Sequence, residues 1–155
     1  MDRESARTGR TGDDRTGDHR TRETTTARSR PVAWARLGYV LVAAVFTCCV
    51  LAQTYLAGIA VFVDPANWRL HAGFVHLFEP LLLVLLLLGL VGRLPRFPKL
   101  APAGLFALVS AQYATASMSD SLVAAVHPVN AVLIVLVSAL ATGRAWSVAS
   151  GSCDT

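Results

Sequence analysis

Gln53, His71, His76, Glu79, Gln112, His127 and Asn130 are strongly polar residues set inside otherwise apolar stretches. Imidazoles ligate metals or move protons, a carboxylate carries a proton, and amides hydrogen-bond a ligand. Glu79 is the most costly of the set, because a charge in mid-membrane costs on the order of 2.5–3.5 kcal/mol on insertion scales. It should therefore be neutral or hydrogen-bonded. His76, three residues earlier, can share its proton, and Gln53, Gln112 or a backbone carbonyl can serve as structural partners. The functional alternatives for Glu79 are a proton relay or a ligand contact.

Four apolar stretches carry these residues: 37–63, 70–91, 100–118 and 122–143. Each approaches or exceeds the ~20 residues that cross a bilayer as a helix. None shows β alternation, and backbone groups in lipid must be satisfied within the span, so all are expected to be helices. The third is the least apolar, with Ser110, Gln112, Thr115 and Ser117, and should enter the membrane only beside partners. Short loops then predict an all-α, up-down-up-down four-helix transmembrane bundle, with the second and fourth helices diagonal across the core.

Depth sharpens the picture. Counted from the outer ends at ~1.5 Å per residue, His76 and Gln112 lie about 9 Å in and His127 about 7–8 Å. Glu79 and Gln53 are deeper and His71 is nearer the mouth, so one polar pocket in the outer leaflet is expected. Small or polar stripes support close packing: Cys49, Gln53, Ala57 and Ala60 on the first helix, and Gln112, Thr115 and Ser119 on the third. On the fourth the stripe is His127, Ala131, Ser138 and Thr142, with Asn130 alongside. On the second helix His71, His76 and Glu79 spread over an arc of roughly 140°.

His76 and His127 come from diagonal helices at matched depth, the arrangement in which a porphyrin lies between helices with its iron held by two imidazoles. The plainer alternative is a pair of interfacial histidines bonded to loop carbonyls. His71 reads as interfacial, or replaces His76 as ligand if the helix is shifted by one turn. Pro128 either kinks a last helix that starts near Ser121, or occupies the first turn of one that starts at Pro128 itself.

Composition bounds the rest. The 155 residues leave room for one domain, and 54% of them are apolar. A mean hydropathy of +0.49 despite a polar start favours the membrane class. The domain plan is a disordered cytoplasmic tail over 1–32, a transmembrane domain over 33–147 and a short cytoplasmic tail over 148–155. Arg-Thr-Gly repeats at Arg7, Arg10 and Arg15 make the first tail low in complexity. The net charge of +4 is split between this tail and short loops, so nucleic-acid binding is set aside. Cys48, Cys49 and Cys153 form neither a disulfide framework nor a zinc spacing. A secretory signal is disfavoured because apolarity continues to Val63, which suits an uncleaved anchor. Arg93, Arg96, Lys99 and Arg144 flank the inner ends, while the outer loops hold Asp64, Arg69 and Asp120. Positive-inside logic therefore puts both termini in the cytoplasm of a plasma-membrane protein. Trp34, Trp68 and Trp146 fall at the interfaces.

Two resemblances add to this reading. Gln53-Thr-Tyr-Leu-Ala-Gly58, Val61-Phe-Val, Trp68, His71, His76, Gln112 and His127-Pro-Val-Asn-Ala131 are similar to small four-helix integral membrane proteins of an uncharacterised domain family. More distantly, the chain resembles one four-helix half of heme A synthase, whose histidines near the outer ends of the second and fourth helices ligate heme. That resemblance implies heme ligation by His76, or else His71, together with His127. The chain departs from it in having one unit rather than two and no cysteine pair in its outer loops, so it implies heme binding and not heme A synthesis.

The specific expectation is a b-type heme (or quinone) site in the outer half, serving electron transfer or heme handling with a membrane redox partner. His76 and His127 are its axial ligands and Glu79 tunes potential or carries a proton. Gln53 and Gln112 bond to propionate or substrate, with Asn130 beside them. The alternatives are a non-catalytic accessory or assembly subunit, as a homo-oligomer or in a larger complex, and a metal or proton transporter. The leucine-rich 81–88 block offers a transporter no polar path. Whether the chain is an enzyme stays open, since no nucleophile–base set, phosphate loop or zinc motif occurs.

Overall fold

The computed structural model describes residues 15–118 and 121–151. It is helical throughout, with no strand among the described residues. Helix α1 spans Arg15–Phe62, α2 Trp68–Phe78, α3 Leu81–Val91, α4 Arg96–Ala116 and α5 Val126–Ala149, with a 3-10 turn at Pro65–Asn67. Three stretches are long and apolar enough to cross a membrane: Arg30–Phe62, Pro65–Val91 and Val126–Ala149. Helix α4, with Lys99, two internal-facing prolines and a polar C-terminal half, is not one of them. The disorder expected of the N-terminal tail lies, for residues 1–14, outside the described residues. From Arg15 onward the backbone belongs to α1. Cys153 and the rest of 152–155 also lie outside.

Proline chemistry explains where the helices break. The second apolar stretch is interrupted between α2 and α3 at Glu79-Pro80. Pro80 has no N–H to give the His76 carbonyl, and its ring crowds that carbonyl. Turn bonds take over, from Leu82 N to Glu79 O (3.0 Å) and from Leu83 N to Pro80 O (3.1 Å). Ahead of α5, the N–H groups of Ala124, Ala125, Val126 and His127 each bond three residues back, at 3.0–3.2 Å. Pro128 therefore falls in the first turn of α5, where a missing N–H costs nothing. This matches the second expectation for that proline within two residues.

The helices pack as a ring of neighbours. Helix α1 lies along α2 and α3 on one side and α5 on the other, and α4 joins α3 to α5. One seam is closed by Tyr39, whose hydroxyl donates to the Pro98 carbonyl at 2.6 Å. That carbonyl's helical donor would be residue 102, and residue 102 is a proline. A side chain from another helix thus satisfies a backbone group that α4 cannot satisfy itself. At the same end Arg36 Nε donates to Gly92 O (2.9 Å). A Cβ on Gly92 would come within 2.9 Å of Leu88 O and 3.3 Å of Arg36 Cγ, so only glycine lets α1 approach so closely. The next residue, Arg93, turns the chain with φ of 49°.

The interior is narrow, built around Tyr39, Phe46, Leu85, Leu105, Val109 and Ile134. Larger apolar side chains such as Leu41, Phe62, Leu77, Leu83, Phe106 and Val132 face outward. In water such a belt would be an extended adhesive patch, whereas lipid solvates it. The chain is a membrane protein, and its described residues form helices and turns alone.

Candidate functional site

A cavity of about 810 Å³ opens among α1, α2, α4 and α5. Gln53, His71, His76, Gln112, Tyr113 and His127 supply its principal polar groups, and walls such as Val50, Phe78, Val109 and Ile134 are apolar. Few polar groups on an apolar wall is the ordinary make-up of a ligand pocket.

His71 is clamped to α1 by two bonds. Gln53 Nε2 donates to the His71 carbonyl at 2.6 Å, and His71 Nδ1 lies 3.0 Å from the Gln53 carbonyl. A carbonyl only accepts, so the His71 proton sits on Nδ1 and its Nε2 lone pair is bare. The same amide orientation leaves Gln53 Oε1 buried with no hydrogen-bond partner. His127 is held in a similar way. Thr115 Oγ1 donates to the Ala111 carbonyl (2.9 Å), so toward His127 Nδ1 at 3.1 Å it accepts. His127 therefore also carries its proton on Nδ1 and keeps Nε2 bare.

The two rings lie 6.3 Å apart between centroids, inclined at 56°. Orienting one imidazole nitrogen by a hydrogen bond is how proteins prepare the other as a metal ligand. The structure thus brings His71, rather than His76, against His127. Five residues of helix separate His71 from His76, about 140° of rotation, so both cannot face the same neighbour.

His76 turns instead to a second cluster on the rim. Its ring stacks on Tyr113, with centroids 5.8 Å apart and planes 17° from parallel. Tyr113 donates to Glu79 Oε2 at 2.6 Å. Having spent its one proton there, Tyr113 accepts from His76 Nδ1 at 3.2 Å, and the same nitrogen lies 3.3 Å from Glu79 Oε1. Glu79 is thus hydrogen-bonded, as its cost in lipid demanded, with Tyr113 as the partner that sequence reasoning missed. The signal was present: Tyr113 sits beside Gln112 on the one apolar stretch rich in polar groups. Its ring, however, reads equally well as an interfacial aromatic. The Glu79 and His76 side chains are 36% and 62% exposed, so this cluster is at the surface.

Gln112 and Asn130 join α4 to α5. Asn130 Nδ2 donates to the Leu108 carbonyl (2.8 Å) and to Gln112 Oε1 (2.9 Å). Both amide protons of Asn130 are consumed in this clasp, and Asn130 does not line the cavity, whereas Gln112 does. Cys48 and Cys49 are free thiols. Among the described residues no group of three or more His, Cys, Asp or Glu could hold a metal ion.

No curated protein and no solved structure matches the chain, so the likeness to heme A synthase finds no counterpart there. Residues 53–118 match the model of a family of unknown function (DUF6220). That segment contains Gln53, His71, His76, Glu79, Gln112 and Tyr113, and ends before His127.

Proposed function

We propose that this chain is a plasma-membrane protein whose outer half binds a b-type heme through His71 and His127, for electron transfer or heme handling. Four spans cross the membrane in an up-down-up-down bundle with both termini cytoplasmic. The topology is supported by end-to-end contacts: Arg36 with Gly92, Gln53 with His71, and Thr115 with His127. Trp34 and Trp146, 72% and 57% exposed, mark one interface and Trp68, 45% exposed, the other. Helix α4, bonded to its neighbours through Gln112, Tyr113 and Thr115, crosses in their company.

The observation that carries the reading is the pair of imidazoles across the cavity, each with Nδ1 tethered and Nε2 bare. At roughly 2 Å per metal–imidazole bond, two rings sharing one metal atom have centroids about 6 Å apart. The two bare imidazole nitrogens, both acceptors, suit iron better than the carbonyls of a quinone. Heme would supply one-electron exchange at its iron. The chain's own residues hold the rings in orientation through Gln53 and Thr115, and Gln112 Nε2 remains as a donor toward propionate. The Glu79–Tyr113–His76 cluster can pass a proton at the rim.

The test is a reduced-minus-oxidised spectrum of protein purified in mild detergent after heme-replete expression. Soret and α bands that are lost in His71→Ala and in His127→Ala, yet kept in His76→Ala, are the expected result. A colourless wild-type protein overturns the proposal.

A second reading is favoured by one observation, the reciprocal Gln53–His71 clasp, which ties α1 to α2 directly. On that reading the protein is a non-catalytic assembly subunit. His71→Ala would then lower bundle stability with no chromophore to lose.

A further inference from the structure

The second large cavity lies at the opposite end of the bundle, between the start of α4 and the end of α5. Its volume is about 690 Å³ and its walls include Arg96, Phe97, Arg144, Ser147 and Val148. The Arg144 guanidinium sits 5.1 Å above the Phe97 ring, which holds the cation at the cavity by its attraction for the ring face. We propose that this cavity binds the headgroup phosphate of an anionic phospholipid.

Among the described side chains, charge at this end is of one sign. The Arg36–Gly92 and Tyr39–Pro98 bonds and the Arg144–Phe97 contact gather Arg36, Arg93, Arg96, Lys99 and Arg144 there. The acidic side chains described over residues 30–118 and 121–151, Asp64 and Glu79, belong to the turn after α1 and to the α2–α3 break, toward the other end. No ion pair neutralises the cluster among the described residues, where His76 with Glu79 is the salt bridge found. Two guanidiniums that line one cavity, with no described acid beside them, offer an anion a site, and arginine's fork suits phosphate oxygens.

Location selects the source of the phosphate. Pro95, Phe97, Pro98 and Val148 make the wall mostly apolar, and exposed Leu100 and Trp146 continue that surface toward the lipid. A free phosphate gains nothing from such walls, whereas a phospholipid lays its glycerol and first methylenes along them. Basic pockets between spans on the cytoplasmic side are where anionic headgroups bind. The inference rests on the membrane reading and on the orientation proposed above, but not on heme.

The full chain, purified in phosphatidylcholine-containing detergent micelles, is supplemented with phosphatidylglycerol, with more phosphatidylcholine, or with inorganic phosphate. Lipid retention is read by native mass spectrometry, and thermal stability beside it. At about 1 kcal/mol per cation, two arginines give phosphatidylglycerol roughly tenfold or greater preference over phosphatidylcholine, falling as salt is raised. Arg96→Gln with Arg144→Gln should abolish that preference, while Arg93→Gln, off the cavity, should keep it. Equal retention of both lipids by the wild type overturns the proposal without recourse to any variant. So does a loss in Arg93→Gln as large as in Arg144→Gln, which would mean general attraction to the basic end. Stabilisation by inorganic phosphate that matches phosphatidylglycerol would overturn the lipid assignment.

Discussion

Replacing Tyr39 by phenylalanine removes one hydroxyl and little volume from a fully buried contact between α1 and α4. The Tyr39 side chain is 1% exposed and its hydroxyl lies 2.6 Å from the Pro98 carbonyl, with Pro98 itself fully buried. Hydrogen bonds between membrane helices average only about 0.6 kcal/mol, because groups that lose a partner generally find another. Here the carbonyl has no second partner, since residue 102 is proline and lacks the N–H that would have closed the helical bond. The cost should therefore approach that of an unsatisfied buried group, about 1–3 kcal/mol. The decisive comparison is Tyr39→Phe in a Pro102→Ala background, where the new N–H can reach the orphaned carbonyl. There the same change should cost about 0.5 kcal/mol, which leaves a coupling of about 0.5–2.5 kcal/mol between the two sites. Reversible unfolding in mixed micelles with increasing denaturing detergent, followed by far-UV circular dichroism, measures all four corners of the cycle. If the two substitutions are additive within about 0.5 kcal/mol, the proline-orphaned carbonyl is not what Tyr39 serves, and the argument fails.

Further outcomes follow from other contacts. Gly92→Ala should destabilise by about 1–3 kcal/mol because its Cβ meets the Leu88 carbonyl and the α1 backbone at Arg36. Gly58→Ala, with nothing within 4 Å, should be neutral or stabilise by up to about 1 kcal/mol; one unfolding series ranks the two. Asn130→Ala strands the Gln112 amide and should cost about 1–2 kcal/mol, whereas Asn130→Asp, which ionised can donate to neither acceptor and protonated to only one, should cost more in the same assay. Tyr113→Phe withdraws the 2.6 Å donor from Glu79 and should shift the carboxyl stretch of Glu79 in an isotope-edited infrared difference spectrum. An unchanged band would mean that Tyr113 does not hold the carboxylate.

The cavity groups also show how far residue types alone carry the argument. That Glu79 must be hydrogen-bonded followed from its cost in lipid, and the His76–Glu79 spacing made their contact local. The identity of its main partner was not local, because Tyr113 arrives from another helix 34 residues away in sequence. The pairing of His71 with His127 depended on the rotation of α2 about its axis, which two histidines about 140° apart on that helix leave undecided. Asn130 could be placed beside His127 by periodicity, yet only packing decided that its protons go to Leu108 and Gln112.

Sequence by itself determined the solvent and the secondary structure. Long apolar runs must be helical in lipid, since every backbone group has to be paired within its own segment. Their tryptophan and arginine flanks mark where the apolar runs end, though α1 continues past Trp34 to Arg15. Tertiary structure decided which faces meet, where prolines interrupt the runs, and which orphaned carbonyls receive a side chain from elsewhere. The physical reason is that hydrophobicity orients nothing between helices already surrounded by lipid. Direction comes from a handful of hydrogen bonds and close glycine contacts, and those exist only once the helices have been brought together.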